Sequence, residues 1–345
     1  MIRWILMGVC GACGTATGGT PDLELGAELE LEYVVPDGGR GSFFQMDQLY
    51  LIPQVRLQPN LLLSADIAVK EEETIAEEVW LRYSGLPGQS WIEVGLNDPL
   101  IAEIDRKSEA EILLETAFYR SDELGIRGGG KLADIGYWWL SASNGFVLEG
   151  KQPSEEAVFP LVADGRATTA TGGRRLYGAG IGARGALAGR IALDLMPFVY
   201  RGRLSADDRR LLATIPGVAD GGDTKERAGI NVSAAFGRVT VVGQWLHARD
   251  SRFERDGWFV QPSIDVPAGT LGELTLVYRF NDIDVHVPPE PNASFTWGRR
   301  QHVFAVIGAL SDNVRLKLER YLNHEATGAA SVDNDEYLIQ LEAGF

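Results

Sequence analysis

Few residues of this chain stand at spacings that do chemistry. Gly180-Ile181-Gly182-Ala183-Arg184-Gly185 matches G-x-G-x-x-G, the turn that lets a backbone approach a dinucleotide pyrophosphate. That use requires a strand before it, a helix after it and an acidic residue about 20 positions on. Here the motif sits inside an alternating stretch, where glycines make room for a neighbouring loop. His247, Asp250 and Ser251 have the residue types of a hydrolytic triad, but adjacent positions at one strand end do not build one. The four histidines, His247, His286, His302 and His324, are too dispersed for metal-ligand spacing. Asp220-Gly221-Gly222-Asp223 and Asp333-Asn334-Asp335-Glu336 are acidic turns that water satisfies. The expectation is no enzyme, no catalytic residue, no metal site and no cofactor.

What remains is charge placed at every second residue. From Asp22 to Val35, Leu23, Leu25, Ala27, Leu29, Leu31, Tyr33 and Val35 alternate with Asp22, Glu24, Gly26, Glu28, Glu30 and Glu32. A strand puts successive side chains on opposite faces, so one face is apolar and the other acidic. The alternation is longer than a typical globular strand of about five or six residues. It suits a tilted membrane-spanning strand, which needs about 9–11 residues. The chain ends in the same way: Tyr337, Ile339, Leu341, Ala343 and Phe345 fall on one side, and Leu338, Gln340, Glu342 and Gly344 on the other. A final strand that ends on Phe345 is read as the closing strand of an outer-membrane barrel and its assembly signal.

Similar strands are expected at 44–57, 61–70, 75–84, 90–97, 122–130, 134–143, 176–187, 189–203, 226–237, 238–250, 256–266, 271–283, 300–311, 314–324 and 335–345, sixteen with the first. Every second connection is short, such as Gln58-Pro59-Asn60, the Gly237-Arg238 junction and Asp312-Asn313. The others, at 36–43, 71–74, 98–121, 144–175, 204–225, 251–255, 284–299 and 325–334, are generally longer. Tight turns at one end and long loops at the other are the rhythm of a transmembrane barrel, not of a Greek-key sandwich. The fold expected is all-β, a 16-stranded antiparallel transmembrane β-barrel, with residues 21–345 as its single domain. The third long loop, 98–121, carries Glu103, Asp105, Arg106 and Lys107 and then a short helical stretch at 108–119.

Composition agrees with this reading. No run of about 18 apolar residues is present, which excludes a helical span but leaves a barrel, whose strands expose only alternate residues to lipid. The net charge of -16 argues against nucleic acid as a partner. Cys10 and Cys13 are the sole cysteines, so the chain beyond them builds no disulfide. Residues 1–20 read as an export signal: Arg3, an apolar run from Trp4 to Val9, then small residues. Val9-Cys10-Gly11-Ala12-Cys13 approximates an acylation motif at Cys13, although Cys10 stands where a Leu-like residue belongs.

Several stretches resemble the phosphate-selective porins O and P and their relatives. They are Val79-Trp80-Leu81-Arg82-Tyr83, Val94-Gly95-Leu96-Asn97-Asp98-Pro99, Glu123-Leu124-Gly125-Ile126-Arg127-Gly128, Ser141-Ala142-Ser143-Asn144-Gly145 and Leu310-Ser311-Asp312-Asn313-Val314-Arg315-Leu316-Lys317-Leu318-Glu319, with the closing Phe345. The first third and last tenth of the chain carry the resemblance; the middle follows by pattern. It implies a porin in the bacterial outer membrane, a homotrimer in contact with outer-membrane lipid, passing ions and small polar solutes. It also implies that the 98–121 loop folds inward and narrows the pore, with Glu103, Asp105, Arg106 and Lys107 at the constriction. Phosphate selectivity is not implied, because no arginine ladder matches residue by residue. The charges expected on the lumen face are Arg56, Lys70, Arg82, Arg127, Arg279, Arg315 and Lys317, against Glu24, Glu28, Glu30, Glu32, Asp66, Glu78, Glu93, Glu123, Glu319 and Glu342. Such a mixed lining should pass small cations at least as well as anions. A barrel plugged by its own loops, with 144–175 and 204–225 serving as a surface ligand-binding or anchoring site, is the alternative.

Overall fold

The computed structural model describes residues 21–36, 42–70, 74–98, 107–108, 112–118, 123–151, 161–165, 175–187, 190–215, 218, 222–269, 272–286, 296–327 and 334–344. Its strands are β1 (Asp22–Pro36), β2 (Phe43–Gln58), β3 (Leu61–Val69), β4 (Thr74–Leu86), β5 (Ser90–Asn97), β6 (Glu123–Leu132), β7 (Gly136–Ser143), β8 (Leu148–Lys151), β9 (Leu161–Asp164), β10 (Leu176–Leu187), β11 (Ile191–Arg203), β12 (Thr224–Phe236), β13 (Val239–Asp250), β14 (Phe253–Pro267), β15 (Glu273–Val285), β16 (Thr296–Ser311), β17 (Val314–Thr327) and β18 (Glu336–Gly344). Sixteen of them form a closed antiparallel barrel, each strand beside its neighbour in sequence. β8 and β9 stand apart as a two-stranded ribbon, so β7 pairs directly with β10. β1 meets β18 from Glu28↔Gly344 to Pro36↔Glu336, which closes the ring and leaves no sheet edge.

Side-chain period fixes which face is which. On β1, Leu23, Leu25 and Leu31 are exposed while Glu30 and Glu32 are buried; on β18, Tyr337, Ile339 and Leu341 are exposed while Leu338 and Gln340 are buried. The same inversion runs around the ring, with Val94, Ile126, Leu140, Ile181, Val199 and Phe304 exposed on the outside. An apolar belt of this extent is stable against lipid and not against water. No helix among the described residues is long and apolar enough to cross a membrane; strands make the crossing.

The glycine motif at 180–185 lies within β10. A Cβ at Gly180 would run into the Trp139 ring and one at Gly182 into the Tyr137 ring, so the room is made for aromatic side chains of β7 and not for a loop. A second departure is the connection expected at 251–255. β13 and β14 extend until only Ser251 and Arg252 separate them, and Ser251 turns the chain at φ 63°. Its N–H donates to the Thr224 carbonyl at 2.8 Å, which anchors this tight turn to β12.

Among the described residues two short α-helices join the strands, α1 (Leu113–Phe118) and α2 (Ala206–Leu212). α2 begins with a capping box: the Ser205 hydroxyl accepts from the Asp208 N–H, and the Asp208 carboxylate accepts from the Ser205 N–H. α1 packs on β14. A Cβ at the inward-facing Gly257 would lie 2.8 Å from Phe118 Cε2 and 3.2 Å from Leu114 Cδ1. Leu113, Leu114 and Phe118 join one buried apolar cluster with Leu148, Leu161 and Val162 of the ribbon, and with Phe198, Leu246, Phe259 and Ile283 of the barrel wall. Part of the inner face of β11 to β15 is therefore covered by apolar side chains from connections, while β1 to β6 and β16 to β18 turn mainly polar groups inward, beside a smaller buried cluster of Val34, Val303, Tyr321 and Leu338.

Candidate functional site

The polar lining of the interior is built on β1 to β6 and β16 to β18 and extends onto β15 through Arg279 and Asn281. On β4 and β5, Arg82 and Glu93 occupy the face opposite the exposed Leu81 and Val94. The Arg82 Nε–H donates to Glu93 Oε2 at 2.6 Å, and Arg127 of β6 donates to the other carboxylate oxygen. Glu93 is fully buried whereas Arg82 is 34% exposed. The Arg82 guanidinium lies 4.7 Å from the Trp80 ring centre and 4.9 Å from that of Trp91, a cation held between two indoles. Arg127 also donates to the Asp98 carbonyl at 2.7 Å. One carboxylate thus orients two guanidinium groups, beside a recess lined by Asn97, Glu123, Arg127, Ser141, Ser143 and Tyr200.

Across the closure, Gln48 donates to Glu30 at 2.8 Å and Gln340 to Glu32 at 3.0 Å. The carboxylates of Glu28, Glu30 and Glu342 converge, and Lys317 reaches Glu342 at 2.7 Å. Amide side chains continue the lining, with Asn281 donating to Gln301 and Gln301 to Asn323, each at 3.1 Å. Arg279 and Arg299 are buried on the same inner face.

The apolar half contains a compact group of charges. Lys225, Arg227 and Arg255, on inward positions of β12 and β14, meet Asp208 of α2, Asp250 at the end of β13 and Asp164 of β9. All six side chains are at most 3% exposed. Lys225 Nζ lies 3.1 Å from Asp208 and donates to the Phe146 carbonyl at 2.7 Å. The other Asp208 oxygen accepts from the Leu148 N–H at 2.6 Å, tying α2 to the ribbon. Within the group three cations pair with three anions, as burial in a low-dielectric site demands.

Most residues singled out from sequence separate into distinct places. Arg82, Arg127 and Glu93 come together; Lys317, Arg315 and Glu342 come together, with Arg315 3.2 Å from Glu342. Arg56 and Glu24 are exposed, Asp66 and Glu78 are half-buried, and Lys70 stands 3.7 Å from Glu77. Glu123 and Glu319 are buried. Glu103, Asp105, Arg106 and Phe345 lie outside the described residues, and Lys107 is half-buried. The histidines sit apart from the interior groups: His247 Nδ1 and His286 Nε2 flank the Asp256 carboxylate at 3.0 and 2.9 Å on the outer face. Asp250 points inward to Arg227 and Arg255, so it and His247 occupy opposite faces of β13 and no triad forms. Asp164, Asp208, Lys225 and Arg255 were not reached from sequence, because all four fell in stretches read as loops.

A closed sixteen-stranded barrel with an apolar exterior defines a transmembrane β-barrel of the outer-membrane type. Solved structures with this fold include the outer membrane channel DcaP of Acinetobacter baumannii, 13% identical over 96% of this chain and 99% of that one, with a TM-score of 0.62. OmpF of Salmonella typhi, solved as a complex with daunomycin, aligns with a TM-score of 0.62 at 9% identity, over 94% of this chain and 97% of its own. OmpT of Vibrio cholerae in its trimer form aligns at 0.58 and 11% identity, over 95% and 100%. At such identities the likeness is one of fold. No family model matches the chain, and no curated protein matches it either.

Proposed function

We propose that this chain is a porin-type channel of the bacterial outer membrane, through which ions and small polar solutes diffuse passively. The observation that carries the proposal is the division of faces: a closed barrel whose exterior is apolar turns ionisable side chains inward on β1 to β6 and β16 to β18. Lipid accounts for the exterior, and a polar interior in a lipid-seated barrel is suited to water. In this reading residues 1–20 direct export, Phe345 marks the chain for assembly, and the barrels associate as homotrimers, an arrangement that the trimer form of OmpT makes reasonable for the fold. The 98–121 loop folds inward and narrows the passage, with Glu103, Asp105, Arg106 and Lys107 at the constriction; the contacts of Leu114 and Phe118 with the wall at Gly257 support this. Several stretches resemble phosphate-selective porins, but the mixed lining favours small cations at least as much as anions.

One observation favours a second reading. The apolar cluster on the inner face of β11 to β15 fills part of the interior with protein, as in a plugged barrel that binds or anchors at its surface without conducting. A liposome-swelling assay with neutral solutes of graded size separates the two. Swelling that falls off with solute size is the expected result; folded, inserted protein that supports no swelling favours the plugged barrel.

A further inference from the structure

Among the contacts that hold the ribbon in the barrel, the Asp164 carboxylate is bound as a solute carboxylate would be. Arg227 donates to Asp164 through two nitrogens, Nε to Oδ2 at 2.9 Å and Nη2 to Oδ1 at 2.5 Å. Arg255 Nη2 donates to the same Oδ1 at 3.0 Å. This is the paired, planar recognition that guanidinium groups give to carboxylates. Asp250 closes the square from the wall, accepting from Arg227 at 3.0 Å and from Arg255 at 2.8 Å. Arg255 also donates to the Val162 carbonyl at 2.5 Å and to the Ala117 carbonyl at 3.3 Å, so a single side chain fastens both the ribbon and α1.

The parts of this square differ in what anchors them. Arg227, Asp250 and Arg255 stand on three adjacent barrel strands, paired through Arg227↔Ala248↔Arg255, and cannot leave without breaking the sheet. Asp164 belongs to a ribbon whose described residues share no strand pairing with the barrel. Remove Asp164, and two buried guanidinium groups face one carboxylate, an excess of positive charge that the site must fill or hydrate.

We propose that Arg227 and Arg255, backed by Asp250, form a carboxylate-binding site on the inner wall, and that Asp164 occupies it as a tethered ligand, making the β8–β9 ribbon an internal gate. The second fastening, Lys225 with Asp208, then sets the hinge side, because Asp208 also holds the Leu148 N–H at the start of the ribbon. Withdrawal of Asp164 uncovers the apolar inner face together with a cationic site suited to a small carboxylate.

The test has two readouts in the full-length chain, with Cys10→Ser and Cys13→Ser to remove its own thiols. The first is single-channel recording of Asp164→Ala against the parent. The loss of a buried ion-pair partner should raise the open-state population by about tenfold or more. The second is the reactivity of Ala163→Cys, on the fully buried neighbour of Asp164, toward a membrane-impermeant thiol reagent. Protection is expected with Asp164 present, and labelling with Asp164→Asn, which keeps the side-chain shape if the alanine variant fails to fold. Only the conductance arm rests on the channel reading. Labelling released by Asp164→Asn without conductance in any variant upholds the gate and sinks the channel. Conductance with Ala163→Cys protected alike in both backgrounds, and no change in Asp164→Ala, overturns the gate and leaves the channel standing.

Discussion

Glu93 shows how much one interior carboxylate can organise. It is fully buried between Arg82 and Arg127 and is the carboxylate both guanidinium groups share. Breaking a buried pair from one side typically costs about 3–5 kcal/mol. Glu93→Gln should fall near the lower end of that range, since Arg82 retains solvent and its two indole rings. Urea unfolding in lipid vesicles, followed by tryptophan fluorescence, measures it. A loss below about 1 kcal/mol, the worth of an exposed pair, would mean that the bridge is ornamental. These three residues were legible in the sequence, because each lies mid-strand and alternation assigns its face. Arg255 and Lys225 were not: they sit at strand ends, where polar residues read as loop, and their carboxylate partners come from segments far away in sequence.

At the scale of elements, α1 depends on the absence of a side chain at Gly257. With Phe118 Cε2 2.8 Å and Leu114 Cδ1 3.2 Å from where a Cβ would stand, a larger residue must push the helix off the wall. Gly257→Val should cost about 1–3 kcal/mol as overpacking, and should make the 98–121 connection the first site of limited proteolysis in folded protein. Cleavage unchanged from the parent would place the helix elsewhere. The sixteen barrel strands follow from their alternation, and the observed bounds differ from expectation by only a few residues at the ends. The ribbon and α2 were hidden inside stretches read as external loops. Three signals pointed to them nonetheless. Phe146, Leu148, Leu161 and Val162 are more apolar than a solvated loop requires, and Ser205 with Asp208 is the capping pair of a helix start. A third lay in the strands: Phe198, Leu246, Phe259 and Ile283 put apolar groups on the inner face, which a simple aqueous lumen has no use for.

The whole molecule joins two different interiors in one barrel. The outer face carries an apolar belt that asks for lipid, with charged groups such as His247 and Asp256 toward the strand ends; inside, a polar lining on β1 to β6 and β16 to β18 meets a packed half on β11 to β15. The closed topology and the outward belt follow from side-chain period alone, which is local. How far the interior is open depends on contacts between distant segments, which period does not encode. Single-channel recording of the refolded protein in a planar bilayer, under a salt gradient, tests the channel claim most directly. Stable open steps are predicted, with a reversal potential showing small cations to pass at least as readily as anions. Folded protein that inserts and shows no steps at any voltage would contradict it.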